Sequence, residues 1–370
     1  MIYFDNSATT PLCPQAKAAM VAAMEEYANP SSVHEAGFLQ EQRMEQSRRL
    51  VAGSLGCAPQ ELVFTGSGTE ADNLAIFGTA EALGRRGKGI LTTDSEHPAV
   101  ARAMDRLEQQ GFAVCRVSTR GGVLDLQQAQ EFARRGDLIL ATVMHTNNET
   151  GARYPVKDVF DLVRRTNPLC VMHTDCVQAY GKEEIGFARL GADLISVSAH
   201  KIHGPKGIGA LAVKKGVRLV EQICGGGQER GLRSGTQNTV AIAGFGAAAQ
   251  RAAQEMGRGW EQARALGELM RRELAGRVEF LQGSGSFSPY IVSLRIPGAK
   301  SEVALRILSD QGVCVSAGSA CSAKTGKSPV LKAFGLTDRQ ADATLRISFG
   351  AQNTPQEVQA FCQIVKSLRF

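Results

Sequence analysis

The sequence has no stretch that would cross a membrane. No apolar run in the 370 residues approaches the ~20 residues that span a bilayer. The first residues contain no basic segment followed by an apolar one, so export is not indicated. We therefore expect a cytoplasmic protein without membrane contact.

The cysteines do not have the spacing of a disulfide or zinc framework. The nine cysteines are an odd number, are scattered, and include no Cys-x-x-Cys pair. We predict no metal site, and expect most of the thiols to be buried as small hydrophobic side chains. The net charge of +6 is mild and the basic residues are dispersed, so nucleic acid is not an expected partner.

The pattern of short apolar runs and amphipathic segments predicts an α/β fold. The length fits two packed domains, which we expect to be a large domain at 15–255 and a small α+β domain at 1–14 plus 256–370. Alternation of strands with helices predicts a mostly parallel, seven-stranded sheet in the large domain. The predicted strands are Glu61–Phe64, Gly89–Thr93, Ala113–Arg116, Leu138–Met144, Cys170–His173, Asp193–Val197 and, as a returning edge strand, Gly209–Val213.

The last third of the sequence predicts a smaller α+β unit. A long helical pattern runs from Thr239 to Leu274, with a predicted interruption near Gly257–Gly259. Strands and helices alternate after it, and the last helix opens at 354–357 with a capping box that has proline in the first turn. We expect the N-terminal dozen residues to pack on this unit or across the active site.

Lys201 is the first candidate for chemistry, because it lies just beyond a predicted strand and before a glycine-rich turn. Ligands of α/β sheets gather at the carboxyl ends of the strands. A lysine there, flanked by Ser198 and His200, suits a Schiff base with an aldehyde cofactor. Taken alone, it could equally be a surface lysine beside a tight turn.

The segment Thr65–Glu70 links a strand to a helix and suits a bound anion. Gly66 and Gly68 would let the backbone approach the anion, and the N–H groups at a helix N-terminus bind phosphate well. The segment lacks the Gly-Lys-Ser/Thr ending of a nucleotide-binding P-loop. A plain helix cap is the alternative interpretation.

Two further strand ends carry polar side chains. Asp175 could pair with a pyridinium nitrogen and keep the ring electron-withdrawing, and Gln178 could bond the ring's phenolic oxygen. His97 follows another strand and could stack on a flat ring. A turn-capping aspartate and a structural histidine are the alternatives. Taken together, the four strand-end signals are satisfied by one ligand, pyridoxal phosphate.

At this point the chain resembles the cysteine desulfurases of the class V aminotransferase superfamily, of the NifS and IscS type. The resemblance extends over essentially the whole length and implies the fold type I of pyridoxal-phosphate transferases. The stretches that carry it are Asp5–Pro11, Asn29–His34, Thr69–Asn73, Asn147–Gly151, Ser198–Lys201, Gly226–Gly231, Arg233–Thr236 and, most specific, Ser316–Ser322.

The resemblance implies a role for each matching residue. Lys201 would hold the cofactor as an imine and move protons at the substrate Cα, and His97 would stack on the ring and act as acid–base. Asp175 would bind the ring nitrogen and Gln178 the phenolic oxygen. The other implied contacts are Gly68, Thr69, Ser198 and His200 with the phosphate region, Thr236 from the partner subunit of a homodimer, Asn148 with cofactor and substrate, and Arg346 with the substrate carboxylate.

The resemblance also implies that Cys321 takes the sulfur of L-cysteine as a persulfide and that L-alanine is released. A thiol of ordinary pKa, about 8.5, needs nearby positive charge or a base for this attack. The small residues around Cys321, followed by glycine and proline, suit a mobile loop, whereas Cys314 lies in an apolar strand pattern and is expected in the core. A buried, unreactive Cys321 is the alternative.

Three positions depart from the pattern expected of relatives, namely Cys176 beside Asp175, Tyr154 where glutamine is expected, and His203 in place of an aromatic residue or glycine. The short segment after the last helix leaves the sulfur acceptor open between an iron–sulfur scaffold protein and an enzyme of tRNA thiolation or thiamin synthesis. The competing hypotheses are a selenocysteine lyase, another class V enzyme such as an aminotransferase, and a non-catalytic scaffold.

Overall fold

The structure is a computed structural model that describes residues 1–318 and 328–368, so Cys321 lies outside the described residues. The strands are β1 Ile2–Tyr3, β2 Leu62–Thr65, β3 Gly89–Thr93, β4 Ala113–Val117, β5 Leu138–Thr142, β6 Ala152–Arg153, β7 Val171–Asp175, β8 Leu194–Ser198, β9 Gly209–Val213, β10 Glu279–Phe280, β11 Ser286–Phe287, β12 Ile291–Arg295, β13 Val313–Cys314 and β14 Thr344–Ser348. The helices are α1 Pro14–Met24, α2 Glu35–Ser54, α3 Gly68–Leu83, α4 Pro98–Gln109, α5 Leu126–Ala133, α6 Val156–Thr166, α7 Phe187–Leu190, α8 Thr239–Glu273, α9 Ser301–Asp310, α10 Pro329–Ala333, α11 Asp338–Ala341 and α12 Pro355–Ser367.

A seven-stranded sheet forms the centre of the fold, with the strand order β2-β9-β8-β7-β5-β3-β4. The pairs β8–β7, β7–β5, β5–β3 and β3–β4 are parallel, whereas β9 is antiparallel to both of its neighbours. All residues of β3, β5, β7 and β8 are buried, as expected for strands that helices cover on both faces. The predicted mostly parallel, seven-stranded sheet is therefore correct.

The prediction that Gly209–Val213 is an edge strand is wrong. β9 lies between β2 and β8, and β2 and β4 are the edges of the sheet. The composition of β9 explains its central place, because four of its five residues are buried and have small or aliphatic side chains. An added Cβ on Gly209 would lie 2.6 Å from the backbone carbon of Ser67, so glycine is required where β9 passes the start of α3.

α8 runs without a break from Thr239 to Glu273, and the predicted interruption near Gly257–Gly259 is wrong. Gly257 is exposed on the helix, and an added Cβ there would contact no described atom within 4 Å. Gly259 instead faces the hydroxyl of Tyr290, which would lie 2.7 Å from an added Cβ. Glycine at this position allows close packing and does not end the helix.

The N-terminal residues pack against the last third of the chain. β1 pairs in parallel with β13, and Asp5 forms an isolated bridge with Ser348 at the end of β14. β14 is itself paired with β12 in a three-stranded antiparallel sheet. These contacts agree with the expected packing of the first residues on the smaller unit, and Thr354 and Glu357 form the predicted capping box of α12.

The buried apolar residues form three clusters. Two consist of residues between Cys13 and Ala249, and the third consists of Phe4 with residues between Ala263 and Val365. Division into domains at 15–255 and at 1–14 plus 256–370 stays a prediction. In the part of the chain that the structure describes, no helix combines the length and the apolar character needed to cross a membrane.

The expectation that most thiols are core side chains holds for half of the described cysteines. Cys13, Cys170, Cys176 and Cys362 are buried, whereas Cys57, Cys115 and Cys314 are partly exposed and Cys224 is exposed. Cys314 was expected in the core, and this is wrong because its strand β13 has only two residues and pairs at the margin of the fold with β1.

Candidate active site

The carboxyl ends of four strands meet at one edge of the large sheet. Thr65 of β2 and Ser198 of β8 both lie opposite Gly209, so these two strands end at the same level on either side of β9. Asp175 is the last residue of β7, which is parallel to β8. His97 follows β3 after a short turn and begins α4. This topology brings residues that are far apart in the sequence to one place.

A cavity of about 240 Å³ lies at this edge of the sheet. Ten of the residues predicted for the site line it, namely Gly68, Thr69, His97, Asn148, Asp175, Gln178, Ser198, His200, Lys201 and Arg346. The other lining residues are Ser7, Ala8, Ser67, Asp72, Met144, Thr146 and Val177.

Lys201 is held by backbone carbonyls from the N-terminal segment. Its Nζ donates to the carbonyl oxygen of Ser7 and, at 2.9 Å, to that of Ala8. Burial lowers the pKa of Lys201 to about 7, and the positive charges of Arg346 and Lys182 act in the same direction. An amine with this pKa is available as a nucleophile and as a base near neutral pH.

Asp175 is buried at the end of β7 and is fixed by its own turn, because the backbone N–H of Val177 donates to its Oδ1 at 2.8 Å. Burial raises the pKa of Asp175, while the nearby His97 and Lys201 oppose the shift. A buried carboxylate of this kind is a strong partner for a cationic ring nitrogen, because the ion pair offsets its loss of hydration.

A second carboxylate, Asp72, comes from α3. It is buried, and burial together with the charge of Asp175 raises its pKa well above the ordinary value. One oxygen of Asp72 lies 3.6 Å from Nε2 of His173, a buried histidine whose pKa is lowered to about 3 by burial. Asp72, His97 and Asp175 offer ligand atoms within 4.8 Å of one another; the absence of a metal site stays a prediction.

His97 has a defined orientation because it caps α4. Its Nδ1 accepts a hydrogen bond from the backbone N–H of Ala99 at 3.2 Å, which leaves Nε2 as the nitrogen that carries a proton. Burial lowers the pKa of His97, and Asp175 opposes that shift. The imidazole is thus held neutral at the cavity wall, in a state that can exchange a proton.

Glu96, the residue before His97, connects two of the segments that form this wall. Its Oε1 accepts from the hydroxyl of Thr93 at 2.7 Å and from the backbone N–H of Met144 at 2.9 Å. Burial raises the pKa of Glu96 to about 8. The side chain therefore joins the end of β3 to the segment after β5 while it remains largely protonated at neutral pH.

The loop before α3 is both a helix cap and a cavity wall. Ser67 Oγ accepts from the backbone N–H of Glu70 at 3.1 Å, so the alternative interpretation of a plain cap describes part of its function. An added Cβ on Gly68 would lie 2.8 Å from Val177, which shows how closely the backbone packs on the loop after β7. Thr69 is exposed at the cavity margin, and Ser198 is buried in the wall.

Arg346 and Asn148 form the opposite wall. Arg346 is buried, with one guanidinium nitrogen donating to the Asn148 carbonyl at 2.8 Å and another to Asp5 Oδ1 at 2.8 Å. Among the described residues, several buried polar atoms have no hydrogen-bond partner, and four belong to residues that line this cavity: Ser7 Oγ, Asp72 Oδ1, Asn148 Oδ1 and Arg346 Nε. Buried polar groups are normally paired, and these atoms include both donors and acceptors, so they fit a polar ligand that offers both.

Three contributors to the site were not predicted from the sequence. Asp72 lies one helical turn after Thr69 and could have been found as a carboxylate on an otherwise apolar helix face. Lys182 donates to Gln178 Oε1 at 3.3 Å and follows it by one turn. The carbonyl oxygens of Ser7 and Ala8 have no side-chain signature, so the sequence could indicate their segment but not these two acceptor atoms.

Two predicted site residues are not in the cavity wall. Thr236 is exposed and does not line the cavity of its own chain, and Cys321 lies outside the described residues. The segment before it is anchored at the site, because Ser316 and Arg346 exchange backbone hydrogen bonds of 3.1 and 2.6 Å. After the gap, Ser328 Oγ donates to Glu149 Oε2 at 2.6 Å.

The three positions that depart from the expected pattern have structural roles. Cys176 is buried and does not line the cavity, and burial raises the pKa of its thiol. The hydroxyl of Tyr154 pairs with Ser95 Oγ at 2.8 Å, immediately before Glu96. His203 has a left-handed backbone with φ of 67°, an uncommon conformation for a residue other than glycine.

Comparison with known proteins agrees with this geometry. The family described as Aminotransferase class-V matches residues 2–361. A cysteine desulfurase IscS 1 of Archaeoglobus fulgidus is 37% identical over 373 residues, which cover 99% of this chain and 96% of that protein.

Solved structures show the same similarity. A NifS-like protein superposes with a TM-score of 0.93 at 34% identity and covers 99% of this chain and 98% of its own. A structure described as SspA in complex with cysteine has a TM-score of 0.82 at 32% identity, over 94% of this chain and 99% of its own. These similarities confirm the predicted α/β fold.

Proposed function

Because the chain belongs to the class-V aminotransferase family and is a cysteine desulfurase, we propose that its cavity binds pyridoxal phosphate and that Cys321 receives the sulfur. The family depends on this cofactor. The observation that carries the proposal is the convergence of Lys201, Asp175 and His97 with the start of α3 on one cavity. Each group suits a different part of the cofactor.

The phosphate group would lie against the start of α3. Gly68 and Thr69 offer backbone N–H groups at a helix N-terminus, where anions are stabilised. Ser198 adds a hydroxyl from the end of β8, and His200 an imidazole. Burial lowers the pKa of His200 to about 4, so this ring would act as a neutral hydrogen-bond partner.

The ring would lie between His97 and the strand ends. Asp175 would pair with the ring nitrogen, and Gln178 would donate to the phenolic oxygen, since its Nε2 already points toward the carbonyl of Ser7 beside Lys201. When bound there, the cofactor supplies an electron-withdrawing ring that weakens the bonds at the substrate Cα. The protein supplies the groups that hold the ring in the protonation state this needs.

Lys201 would bind the cofactor covalently and then move a proton at the substrate Cα. Its low pKa keeps the amine uncharged for a large part of the time near neutral pH. The carbonyl oxygens of Ser7 and Ala8 accept hydrogen bonds from the Nζ and so fix its position in the cavity wall. His97, neutral and held through Nδ1, is the second group that can exchange a proton.

Arg346 would bind the substrate carboxylate. Its Nε has no hydrogen-bond partner among the described residues, and its two other nitrogens are already directed by Asn148 and Asp5. A planar guanidinium binds a carboxylate through two parallel hydrogen bonds. Asn148 Oδ1, also without a partner there, is an acceptor for the substrate ammonium or a cofactor group.

The sulfur transfer would take place at Cys321. The thiolate attacks the sulfur of L-cysteine, a new S–S bond forms, and the Cβ–S bond of the substrate breaks with its electron pair on carbon. Protonation of that carbon gives L-alanine, and Cys321 retains the sulfur as a persulfide, so no external oxidant is needed. Ser316, whose backbone is bonded to Arg346, precedes Cys321 by five residues, so even a fully extended chain leaves Cys321 within about 18 Å of this anchor.

The active unit that we propose is a homodimer. Thr236 would reach the phosphate of the partner's cavity, and its exposure in its own chain is consistent with this role. Exposed large apolar side chains are concentrated in residues 12–39, where Tyr27 and Val33 are fully exposed. Exposed apolar surface of this kind is typical of a protein interface.

The persulfide would pass to a sulfur-acceptor protein, either an iron–sulfur scaffold or an enzyme of tRNA thiolation or thiamin synthesis. A cytoplasmic location stays a prediction. The proposal is tested with the purified chain, pyridoxal phosphate, L-cysteine and a thiol reductant, by measuring visible absorbance, alanine and sulfide. We expect one alanine for each sulfide.

The variant Cys321→Ala distinguishes cofactor binding from sulfur transfer. It should bind the cofactor normally but release sulfide far more slowly, because no enzyme thiol accepts the sulfur. The matched control is Cys224→Ala, which removes an exposed thiol. Sulfide production by Cys321→Ala at the parental rate would contradict the persulfide step.

A further inference from the structure

Lys182 is a half-buried lysine close to the catalytic lysine, and it contacts neither the proposed cofactor nor the substrate directly. It follows Gly181, whose left-handed φ of 68° turns the chain at this point. An added Cβ on Gly181 would lie 2.9 Å from Ile202 and 2.8 Å from Ala252, so the turn packs tightly beside the Lys201 segment. From this turn the lysine side chain extends to Gln178.

Lys182 belongs to a hydrogen-bonded chain that ends at Lys201. Its Nζ donates to Gln178 Oε1 at 3.3 Å, and Gln178 Nε2 donates to the Ser7 carbonyl at 3.0 Å. The same carbonyl accepts from Lys201 Nζ. Because an ammonium can only donate, the Gln178 oxygen must face Lys182 and the NH₂ group must face the cavity.

Lys201 and Lys182 are each surrounded by charges of both signs. Arg346 and Lys182 face Lys201 with like charge, and Asp175 and Asp5 oppose them. Lys182 is itself faced by Glu183 and Arg346, and its Nζ lies 5.4 Å from the centre of the Tyr290 ring.

Among the described residues, the groups on the far side of both lysines carry no net negative charge. They line a second cavity of about 230 Å³, to which α8 contributes Arg251, Glu255 and Arg258. Glu255 is paired with both of these arginines. His203 also lines this cavity, and burial lowers its pKa to about 4, so it is neutral near pH 7.

We propose that Lys182 is a positioning residue: it fixes the Gln178 amide with its donor toward the cofactor's phenolic oxygen, and its charge disfavours a second positive charge on Lys201. This inference rests on the proposed cofactor site. Two consequences follow: replacing Lys182 with a neutral side chain frees the amide to rotate, and it removes one like charge from the surroundings of Lys201.

The test is a pH titration of the visible absorbance of bound pyridoxal phosphate in the full-length chain. In Lys182→Met the midpoint should rise by about one pH unit, the size expected when one nearby like charge is lost. Lys182→Arg keeps the charge and should titrate like the parent. Lys215→Met removes an exposed lysine and serves as the matched control. Lys182→Gln provides a second neutral variant, should Lys182→Met fold poorly.

The outcomes distinguish this inference from the proposed function. A parental chain that takes up pyridoxal phosphate, with neutral variants that titrate at the parental midpoint, would overturn the role of Lys182 alone. A parental chain that takes up no cofactor would overturn the proposed function and this inference with it. A raised midpoint in both neutral variants, with Lys182→Arg unchanged, supports the inference, since a merely structural role would not distinguish charge from shape.

Discussion

A lysine acts as a nucleophile only when its amine is uncharged, and the surroundings of Lys201 favour that state. Burial removes water that would stabilise the ammonium, and Arg346 adds a like charge nearby. The hydrogen bonds to Ser7 and Ala8 keep the amine at the cavity wall. Position and charge state are thus set by different groups, and each can be changed separately.

The first prediction concerns the uptake of the cofactor. The rate at which added pyridoxal phosphate becomes bound should rise about tenfold per pH unit below pH 7 and level off above it, because the pKa of Lys201 is about 7 and only the neutral amine reacts. Stopped-flow absorbance at a series of pH values measures this rate. Lys201→Arg keeps a cation that stays protonated and should form no covalent complex. A rate independent of pH below 7 would contradict the assignment.

The second prediction concerns Glu96 and stability. The unfolded chain releases this proton above the ordinary pKa of 4.5, but the folded chain keeps it until about pH 8. Folding therefore binds a proton in this window, and stability falls as the pH rises through it. Glu96→Gln should reduce the fall by about 1.4 kcal/mol per pH unit. Urea denaturation at several pH values measures the slope, with Glu41→Gln as an exposed control; parallel slopes for Glu96→Gln and the parent would count against a protonated Glu96.

Much of the site could be predicted because its residues stand at strand ends. Asp175 and Lys201 have a chemistry-bearing side chain just after an apolar run, and parallel strands bring such positions together. Asp72 was missed because a single carboxylate on an apolar helix face is a weaker signal than a polar residue at a strand end. The Ser7 carbonyl was missed because backbone acceptors are the same in every residue.

At the scale of elements, local sequence patterns predicted the type of an element better than its place in the sheet or the continuity of a helix. Gly209–Val213 was correctly predicted as a strand but was placed at the edge, because its neighbours in the sheet are set by long-range pairing. Gly257 and Gly259 suggested a helix break, since glycine disfavours helix. The contacts between α8 and Tyr290, which the sequence does not reveal, override that local preference.

The third prediction tests this interpretation of α8. Gly257→Ala should raise the free energy of unfolding by about 1 kcal/mol, because alanine favours helix and the added methyl group has free space. Gly259→Ala gains the same preference but forces a methyl group against Tyr290, at an expected loss of about 1–3 kcal/mol. Urea denaturation of the two variants gives the comparison. Equal stabilisation would show that Tyr290 moves away without loss.

At the scale of the whole molecule, the cavity is formed by residues from both ends of the chain. Asp5 and Ser7 come from the first residues, and Arg346 comes from β14 in the last third. The segment before Cys321 is bonded to the same strand. The residue that would bind the substrate carboxylate and the segment that leads to Cys321 are therefore both held by β14. Thr236, in contrast, is exposed on the surface. A complete site would then need a second copy of the chain.

The fourth prediction tests that dependence with mixed dimers. One dimer carries Lys201→Ala in one protomer and Thr236→Ala in the other; the second dimer carries both changes in one protomer beside a parental one. If Thr236 serves the partner's cavity, the first dimer has one complete site and should retain about half of the parental desulfurase rate and bound cofactor. The second dimer should lose cofactor on dilution, because its single Lys201 faces the altered Thr236. The reverse ranking would mean that Thr236 serves its own chain, and equal behaviour would mean that it contributes to neither cavity.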